Sequence, residues 1–525
     1  MTSLIKETQR IHKRKTLVLK MGGDEAIERQ HKSGKLTVRE RIDLLFDRES
    51  FVEYGALATH QSKFEDMKKK VTPADGVITG IGQIHERSVA VVAYDFTVMG
   101  GSMGEVGERK VDRMREVALT ERIPIIWLLD SAGARIQEVA GPQFSYTGGL
   151  FFDQVQLSGL VPQIAAIMGP TAAGTSYIPA LADFVPMVEG TSSMALAGPH
   201  LVKTAINEDV SVEDLGGSKI HCRKSGVGDL EVKDDRECIK VIREYLSYFP
   251  SHSGEKPSRI ESQSGYDLSM SEKVLSLLPE DPRKGYDIKK LLVEIVDKKS
   301  DESNEPHLLE LKPDFAKNII TALGRINGES VGILANQPKF MGGVLDLDAS
   351  DKAARFLQLC DAFNIPVVFL HDCPGFMVGS RMESLGIIRH GAKMLFAVSE
   401  MTVPKLSVIV RRSYGAGYYV MCGKGMRPDM IVGWPSSEIG LMSPEGAVNI
   451  AYRKEIQQSK NPEETLNQKV EQYRSLVGAD KCAAGGYIDD IIDPRSTRMV
   501  LAHALMYTKN KKEPTIQKKH GVTPV

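Results

Sequence analysis

The sequence lacks the residues that mark several common classes of protein. It has only six cysteines in 525 residues, none in a CxxC pair, which argues against a zinc ribbon and a secreted disulfide framework. Its 67 Lys and Arg nearly balance 68 Asp and Glu, so we expect neither nucleic acid nor a membrane as a partner. No apolar run approaches the roughly 20 residues of a spanning helix. We expect a cytoplasmic protein, with a mitochondrial presequence as the alternative at the basic cluster Arg10, Lys13, Arg14 and Lys15.

Familiar catalytic and cofactor motifs are also missing. The segment 423–425 fails the phosphate-loop pattern, because the required upstream glycine is Tyr418. The segment 415–417 begins like a dinucleotide fingerprint, but its third glycine position is Val420. No HExxH or clustered His and Cys ligands occur, and no metal is expected. The sequence gives no support for hydride transfer, ATP binding or metal-dependent hydrolysis.

What the sequence does contain is an internal repeat with a constant spacing of 242 residues. VPQIAAIMGPTAAGT at 161–175 pairs with VPKLSVIVRRSYGAG at 403–417, and each run begins with Val-Pro, continues as a buried strand and ends in small residues. The same spacing pairs Asp130 with Asp372, Gly133 with Gly375, and the Met-Gly-Gly run at 99–101 with the one at 341–343. We interpret the chain as two copies of one α/β domain, which implies two related half-sites.

The order of predicted elements indicates where the two copies begin and end. In the first copy, the strand-like runs DGVITGIGQI and SVAVVAYDF flank a turn at 85–87 and predict a hairpin. A helix over about 106–121 and a buried strand over 123–129 follow, as in a layered α/β domain. The polar stretch 248–267 predicts the boundary, so we expect a first domain at 1–260, a linker at 261–312 and a second domain at 313–525. The basic cluster His31, Lys32, Lys35, Arg39 and Arg41 is either a phosphate-binding surface or an ordinary charged helix face.

The two small-residue turns predict sites built from main chain. After a buried strand, Ala173-Gly174 and Gly415-Ala416-Gly417 would present backbone N–H groups to an anionic oxygen. The alternative is that small residues only allow a helix to pack closely on a strand. The segment 168–182 holds no acid, His or Lys, so it offers no general base. Such a pair of sites suits a reaction in which one ligand deprotonates the other.

Longer motifs resemble the carboxyltransferase β subunits of biotin-dependent acyl-CoA carboxylases, of the propionyl-CoA and methylcrotonyl-CoA carboxylase type. They are LLDSAGARIQE at 128–138, IMGPTAAGTSYIPAL at 167–181, FAKNIITALGRINGESVGILANQP at 315–338 and CDAFNIPVVFLHDCPGF at 360–376. The resemblance spans almost the whole chain. It implies two tandem crotonase-like β-β-α superhelix domains, with acyl-CoA held by the first and carboxybiotin entering along the second. It also implies a hexamer in which the first domain of one subunit faces the second domain of another.

The resemblance further implies roles for individual residues. The amides of Ala173 and Gly174 would face the acyl oxygen and those of Ala416 and Gly417 the biotin ureido oxygen, although the constant spacing alone pairs the first turn with Gly415 and Ala416. The acyl side would comprise Gly100, Gly101, Ser131, Ala132, Gly133, Ala134, Arg135 and Tyr419, and the biotin side Gly342, Gly343, Gly375, Phe376 and Gly415. Loss of CO₂ from carboxybiotin would leave a biotin enolate that takes the acyl α-proton and so supplies the missing base.

The sequence leaves the acceptor and the direction of the reaction open. Ala173 stands where the family usually has Gly, and Tyr419 where propionyl-CoA enzymes usually carry Asp, so propionyl-CoA competes with 3-methylcrotonyl-CoA and acetyl-CoA as acceptor. The chain has no Ala-Met-Lys-Met biotinylation motif, so biotin should reside on a partner biotin carboxylase and carrier subunit. Alternatives are a decarboxylase subunit of a membrane sodium pump, a crotonase-type hydratase or isomerase, and a non-catalytic scaffold.

Overall fold

The chain divides into two compact units, Met1–Glu255 and Lys256–Val525. The computed structural model describes residues 3–139, 141–260, 270–281, 283–300, 305–512 and 518–524. Part of the predicted linker at 261–312 differs from that expectation, because Leu291, Leu292 and Ile295 lie in the hydrophobic core of the second unit. Among the described residues, no helix is long and apolar enough to cross a membrane.

The first unit is built around an eight-stranded mixed sheet. Its strands are β1 (Val52–Tyr54), β2 (Val77–Ile84), β3 (Arg87–Tyr94), β4 (Ile125–Ser131), β5 (Gln163–Ala172), β6 (Pro186–Val188), β7 (Ser193–Ala195) and β8 (Leu230–Val232). The order is β1-β2-β3-β4-β5-β6-β8, with β7 paired to β5, and the strands from β3 onward run parallel. Its helices are α1 (Ser3–Val18), α2 (Asp24–Lys32), α3 (Val38–Leu45), α4 (Glu105–Glu121), α5 (Ile136–Val139), α6 (Gly149–Leu157), α7 (Tyr177–Leu181), α8 (Pro199–Ile206), α9 (Val212–Gly216), α10 (Ser218–Ile220) and α11 (Asp235–Ser247).

The second unit repeats this architecture with strands β9 (Leu308–Leu311), β10 (Ile319–Ile326), β11 (Glu329–Asn336), β12 (Val367–Cys373), β13 (Lys405–Tyr414), β14 (Met430–Gly433), β15 (Glu438–Gly440) and β16 (Asp490–Ile491). The order is β16-β14-β13-β12-β11-β10-β9, with β15 paired to β13. Its helices are α12 (Lys289–Ile295), α13 (Leu347–Ala362), α14 (Ser380–Leu385), α15 (Ile387–Glu400), α16 (Gly415–Val420), α17 (Pro444–Ala451), α18 (Arg453–Gln458), α19 (Pro462–Val477), α20 (Ala479–Ala484) and α21 (Thr497–Thr508).

Hairpin turns and strand burial follow from the sequence pattern. The predicted hairpin is present as β2 and β3, and both residues of its turn, His85 and Glu86, have positive φ, as a two-residue turn of this twist requires. Asn327 and Gly328 do the same between β10 and β11. β4 and β12 are buried along their whole length, because helices cover both faces of a parallel sheet.

The two sheets share an irregularity at the same place. The register between β4 and β5 shifts between Leu129 and Ser131, and the register between β12 and β13 shifts between His371 and Cys373. In both pairs the partner strand carries the extra residues, 168–170 in β5 and 410–412 in β13, and Asp130 and Asp372 lie opposite them near the carboxyl ends of central strands. Ligands of open α/β sheets bind at such strand ends, so the loops after β4, β5, β12 and β13 are the expected location of a site.

Candidate active site

The turn after β5 and the turn after β13 have the same backbone conformation. Ala173 and Gly415 both have φ 57°, and each follows an extended residue, Ala172 or Tyr414. Each turn then starts a short helical segment, Ala173–Ser176 or α16, whose first N–H groups have no partner within the helix. Both turns can therefore present main-chain donors to an oxygen that carries negative charge.

Exposure identifies which residues of each turn face outward. Ala173 and Gly174 are exposed, and a Cβ atom built on Gly174 meets nothing within 4 Å. Gly415 is partly exposed and Ala416 is exposed, whereas Gly417 is buried. A Cβ atom on Gly417 would lie 2.6 Å from Cys373 Sγ and 3.2 Å from Gly375 Cα. By conformation, Ala173 and Gly174 therefore correspond to Gly415 and Ala416. The pair expected from the family resemblance, Ala416 and Gly417, lies one residue later. Close packing against Cys373 and Gly375 explains the glycine at 417.

The Met-Gly-Gly turns at 99–101 and 341–343 pack against the ends of β4 and β12. Met99 and Met341 have φ 49° and 48°, and Gly100 and Gly342 have φ 64° and 65°. A Cβ atom on Gly101 would lie 2.3 Å from Asp130 O, and one on Gly343 would lie 2.7 Å from Asp372 O. At Gly101 and Gly343 the main chain of each turn therefore packs against the carbonyl group of the aspartate, where no larger residue fits.

The loop after β4 lies directly beside the first turn. Ser131 Oγ donates to Gly101 O at 2.7 Å and accepts a hydrogen bond from Gly133 N at 3.1 Å. Gly133 approaches the turn so closely that a Cβ atom on it would lie 3.0 Å from Ala172 O. Ala132 and Ala134, in contrast, are exposed. The structure brings these predicted residues together, with Ser131 and Gly133 as supports and the two alanines on the surface.

Arg135 is a structural residue in this arrangement. Its guanidinium is buried and donates to Asp75 Oδ1 at 2.6 Å, to Ser102 O at 3.0 Å and to Glu138 Oε1 at 3.2 Å. These donors are occupied, so the expectation that Arg135 lines the substrate side has to be modified. It fixes the loop through the buried Asp75 instead.

Asp130 is held by cationic side chains from the N-terminal segment. Lys35 Nζ lies 2.9 Å from Asp130 Oδ1, Arg41 Nη1 lies 3.0 Å from Oδ2, and Arg41 Nε also binds Asp235 at 2.8 Å. The other members of the basic cluster have carboxylate partners as well: His31 with Glu40, Lys32 with Glu28, and Arg39 with Glu53. The structure therefore gives no support for this cluster as a phosphate-binding surface.

Asp372 is held in a different way from Asp130. Arg411 Nε lies 3.0 Å from Asp372 Oδ2 and Arg412 Nε lies 2.7 Å from Oδ1, and Arg412 also donates to Gly342 O at 2.9 Å. Arg411 is the repeat equivalent of Gly169, on which a Cβ atom would lie 1.9 Å from Asp130 Oδ1. The second unit thus takes its countercharge from β13, whereas in the first unit the Asp130 carboxylate itself occupies the space beside Gly169 and pairs with Lys35 and Arg41.

The remaining predicted residues border the second turn. Gly375, with φ 123°, accepts from Leu345 N at 3.0 Å. Phe376 is partly buried and packs against α15, where a Cβ atom on Gly391 would lie 3.0 Å from its ring. Tyr419 is 48% exposed on α16, with its ring centroid 5.9 Å from that of Tyr418. The side chain of Tyr419 is accessible to a ligand.

Sequence reasoning missed two buried supports of the second turn. His371 Nδ1 lies 2.9 Å from Ser413 Oγ, and burial lowers the pKa of His371 to about 3, so the ring is neutral. Tyr414 O–H donates to Glu438, whose carboxylate also accepts from Arg474 Nε at 2.9 Å. The first copy has Leu129 and Ala172 at the positions of His371 and Tyr414, so the repeat gave no indication of either.

Neither Asp130 nor Asp372 offers a free carboxylate at the turns, and the described residues show no metal cluster. The carboxylates of Asp130 and Asp372 are occupied by cations. In the same described ranges, no group of three or more His, Cys, Asp or Glu residues is arranged to hold a metal ion. What each unit offers to a ligand is main-chain N–H groups at an exposed turn.

Comparison with known proteins gives consistent matches over the whole chain. The carboxyl transferase domain matches residues 29–523. The methylmalonyl-CoA decarboxylase subunit alpha of Propionigenium modestum is 41% identical over 100% of both chains. The carboxyltransferase subunit of propionyl-CoA carboxylase of Haloferax mediterranei is 42% identical over 97% of each. A crystal structure of transcarboxylase 12S, described as a hexamer with methylmalonyl-coenzyme A and methylmalonic acid bound, superposes with a TM-score of 0.94 at 42% identity, covering 100% of this chain and 99% of the other.

Proposed function

The chain belongs to the carboxyl transferase family and is an enzyme, and we propose that it moves a carboxyl group from carboxybiotin on a partner protein to the α carbon of propionyl-CoA. The observation that carries this proposal is the exposed turn that occurs once in each unit with the same φ of 57°. The crotonase-like fold of both units accords with it. A reaction with two developing oxyanions, on the thioester and on the ureido group, needs two such donors.

The first turn would serve the acyl-CoA. The N–H groups of Ala173 and Gly174 would donate to the thioester oxygen, where negative charge develops when the α-proton leaves. Ala132 and Ala134, exposed on the neighbouring loop, would border the acyl group. Ser131, Gly133, Arg135, Gly100 and Gly101 would hold these elements in place, because their side chains or close approaches are already used within the protein. Such preorganised donors require little rearrangement during the reaction.

The second turn would serve the ureido group of biotin. The N–H groups of Gly415 and Ala416 lie at the N-terminus of α16, and the small side chains at both positions leave the main chain accessible. Gly342, Gly343 and Gly375 would fix the surrounding loops, with Phe376 beside them. Carboxybiotin, when bound, supplies the carboxyl group and the basic atom that accepts the acyl proton. The enzyme then needs no side chain as general base, in agreement with the occupied carboxylates near both turns.

Assembly and location form part of the proposal. Transcarboxylase 12S is a hexamer of chains that match this one over their full length, and we extend that assembly to this protein. A biotin carboxylase and carrier subunit is the proposed partner, since the chain has no biotinylation motif of its own. The six cysteines are all free, which supports a reducing, cytoplasmic environment.

A second candidate is the decarboxylation of methylmalonyl-CoA. It is favoured by the match to the decarboxylase subunit of Propionigenium modestum over 100% of both chains. The same two turns would serve both directions of carboxyl transfer, because the oxyanions are the same. The partner that removes the carboxyl group from biotin would then decide the direction.

Transfer of labelled carboxyl groups tests both candidates. The purified protein is given ¹⁴C-carboxylated carrier protein with propionyl-CoA, 3-methylcrotonyl-CoA or acetyl-CoA, and acid-stable label is counted. Propionyl-CoA should give the highest kcat/KM. Hydration of crotonyl-CoA without any biotin donor would instead indicate a hydratase, and the absence of turnover with every donor and acceptor would indicate a scaffold. Proteins that copurify with the chain from its source distinguish a carboxylase from a decarboxylase complex.

A further inference from the structure

A cavity of about 390 Å³ lies in the second unit, among residues that the proposed reaction does not use. Pro366 and Pro404, which line it, directly precede β12 and β13, and Ser330 lies near the start of β11. The cavity is therefore at the amino-terminal edge of the parallel strands, opposite the edge that carries Gly415 and Ala416. Its volume falls within the range of small-molecule sites, roughly 300–1,000 Å³.

The equivalent positions of the first unit are in contact with the chain that follows α11. There Ser253 N donates to Leu160 O at 2.9 Å, and Arg87 donates to Leu246 O at 2.6 Å. Leu160 and Arg87 correspond by the repeat to Thr402 and Glu329, and both of these line the cavity. In the first unit the chain after α11 therefore contacts both of these positions, whereas in the second unit the two equivalent residues face the cavity.

Both lysines and apolar residues line the cavity. Lys256, Lys509, Lys511 and Lys512 all line it, together with Pro404 and Leu505. Lys511 binds Asp429 at 2.8 Å, whereas neither Lys509 nor Lys512 has a carboxylate partner within the part of the chain that the structure describes. One carboxylate, Glu329, lines the cavity, 3.7 Å from Arg259. The local charge therefore favours an anion with more than one negative charge.

A buried hydroxyl gives a second, independent indication of a ligand. Ser330 is 3% exposed, and its Oγ atom has no hydrogen-bond partner among the described residues. Leaving a buried hydroxyl unpaired costs free energy, so such groups in native proteins usually have a partner. Ser330 lines the cavity, so a molecule bound there would supply the missing partner.

We propose that this cavity binds a phosphorylated small molecule with an apolar or planar body, of about the size of a nucleoside diphosphate. The phosphates would lie against Lys509 and Lys512, which are exposed. The body would lie against Pro404 and Leu505. The cavity shares no residue with either turn, so the proposal does not depend on which acyl-CoA is the substrate.

Isothermal titration of the assembled full-length protein with ADP, pyrophosphate and adenosine tests the proposal. ADP should bind, pyrophosphate should bind more weakly because it lacks the body, and adenosine should show no binding because it lacks the charge. No heat with either ADP or pyrophosphate would overturn the proposal.

A charge-matched pair of double variants ties binding to the cavity. Lys509→Gln/Lys512→Gln should weaken ADP binding by about 10-fold or more, because two cations at short range are lost. Lys460→Gln/Lys481→Gln makes the same charge change at exposed positions of the second unit outside the cavity and should leave the affinity unchanged. The KM for acyl-CoA should be the same in both. Equal affinities for ADP in the two double variants would refute the assignment.

Ser330→Ala separates the hydroxyl from general effects on folding. Without ligand, the variant should be at least as stable as the wild type, because an unpaired buried hydroxyl is removed. With ADP present, the shift in the unfolding midpoint should be smaller than in the wild type, since one donor to the ligand is gone. A Ser330→Ala protein that is less stable alone and gains the same shift from ADP would show that the hydroxyl serves the protein rather than a ligand.

Discussion

Lys110 and Lys352 lie 242 residues apart and donate to carbonyl oxygens with the same spacing. Lys110 Nζ binds Ala74 O at 2.8 Å and Val77 O at 2.5 Å, and Lys352 Nζ binds Ala316 O at 3.4 Å and Ile319 O at 2.8 Å. Lys352 also binds Lys312 O and Phe315 O, each at 2.8 Å. In both units an ammonium group ties the helix after the Met-Gly-Gly turn to the chain that enters the first hairpin strand.

Replacement of Lys352 by Met should destabilise the second unit strongly. Methionine keeps most of the volume but leaves several carbonyl groups without their donor, which should cost roughly 2–4 kcal/mol. Lys110→Met is the matched control, because that ammonium group satisfies two carbonyls and should matter less. Midpoints of chemical denaturation, measured in parallel for the two assembled variants, check the order. If Lys352→Met unfolds with the wild type, its ammonium group is not an important link.

His371 should make the stability of the second unit sensitive to acid. Burial lowers its folded-state pKa from 6.5 to about 3, so between these values the unfolded chain binds a proton that the folded chain does not. Stability contributed by the neutral ring is therefore present above pH 6.5 and is lost as the pH falls toward 3. Between pH 7.5 and 5.5 the loss should be about 1.4 kcal/mol per chain.

His371→Leu is the natural test of this pH dependence, since leucine occupies the equivalent position 129 in the first unit. The variant should lose less stability than the wild type between pH 7.5 and 5.5, whatever its stability at neutral pH. The comparison uses the slope of the unfolding midpoint against pH. Parallel slopes for the two proteins would mean that another group controls the acid limb.

The repeat made the positions of the two turns predictable. Contacts between side chains that are distant in sequence were not predictable. The spacing of 242 residues alone indicated Gly415 and Ala416 as partners of Ala173 and Gly174, and the shared φ of 57° agrees with it. The substrate-side prediction for Arg135 needed modification because Asp75, its buried partner, lies 60 residues away, and nothing in the sequence connects the two. Pairings of this kind depend on tertiary packing, which periodicity does not encode.

Departures between the copies were equally hidden from the sequence. Gly169 and Arg411 are repeat equivalents, and only the structure shows that one makes room beside Asp130 while the other binds Asp372. The predicted linker at 261–312 contains α12, which packs in the core of the second unit. Such a short apolar helix flanked by charges gives only a weak pattern in the sequence. The fold class and the hairpin were predictable because long buried strands and a two-residue turn are strong local patterns.

Substitution of Tyr419 tests whether this ring contacts the acyl group. The side chain is 48% exposed and lies three residues after Ala416 on the same short helix. Tyr419→Asp should change the ratios of kcat/KM for acetyl-, propionyl- and 3-methylcrotonyl-CoA by roughly 1–3 kcal/mol, because apolar contact with the longer acyl chains is lost. Tyr452→Asp, at another partly exposed tyrosine of the second unit, provides the control. Unchanged ratios in the Tyr419 variant would place the ring outside the acyl pocket.

The two turns should fail in different ways when a main-chain donor is removed. Gly174 and Ala416 are repeat equivalents. Both are exposed near the N-terminus of a short helical segment, where proline is tolerated. Ala416→Pro should depress carboxyl transfer and also the slow decarboxylation of carboxybiotin without acceptor, each by about 10²-fold or more. Gly174→Pro should depress carboxyl transfer by a similar factor but leave the decarboxylation of carboxybiotin without acceptor unchanged, because only the thioester oxygen loses its donor.

Control substitutions at the same two positions separate the loss of an N–H group from a change in shape. Gly174→Ala keeps the N–H, and its Cβ atom would meet nothing within 4 Å, so transfer should remain within a few-fold of the wild type. Ala416→Gly should behave likewise. Gly417→Ala should lower expression or assembly, because its Cβ atom would lie 2.6 Å from Cys373 Sγ. Both reactions are measured in each variant after its assembly is confirmed. Equal loss of acceptor-free decarboxylation in Gly174→Pro and Ala416→Pro would show that the two turns do not divide the acyl and biotin oxyanions between them.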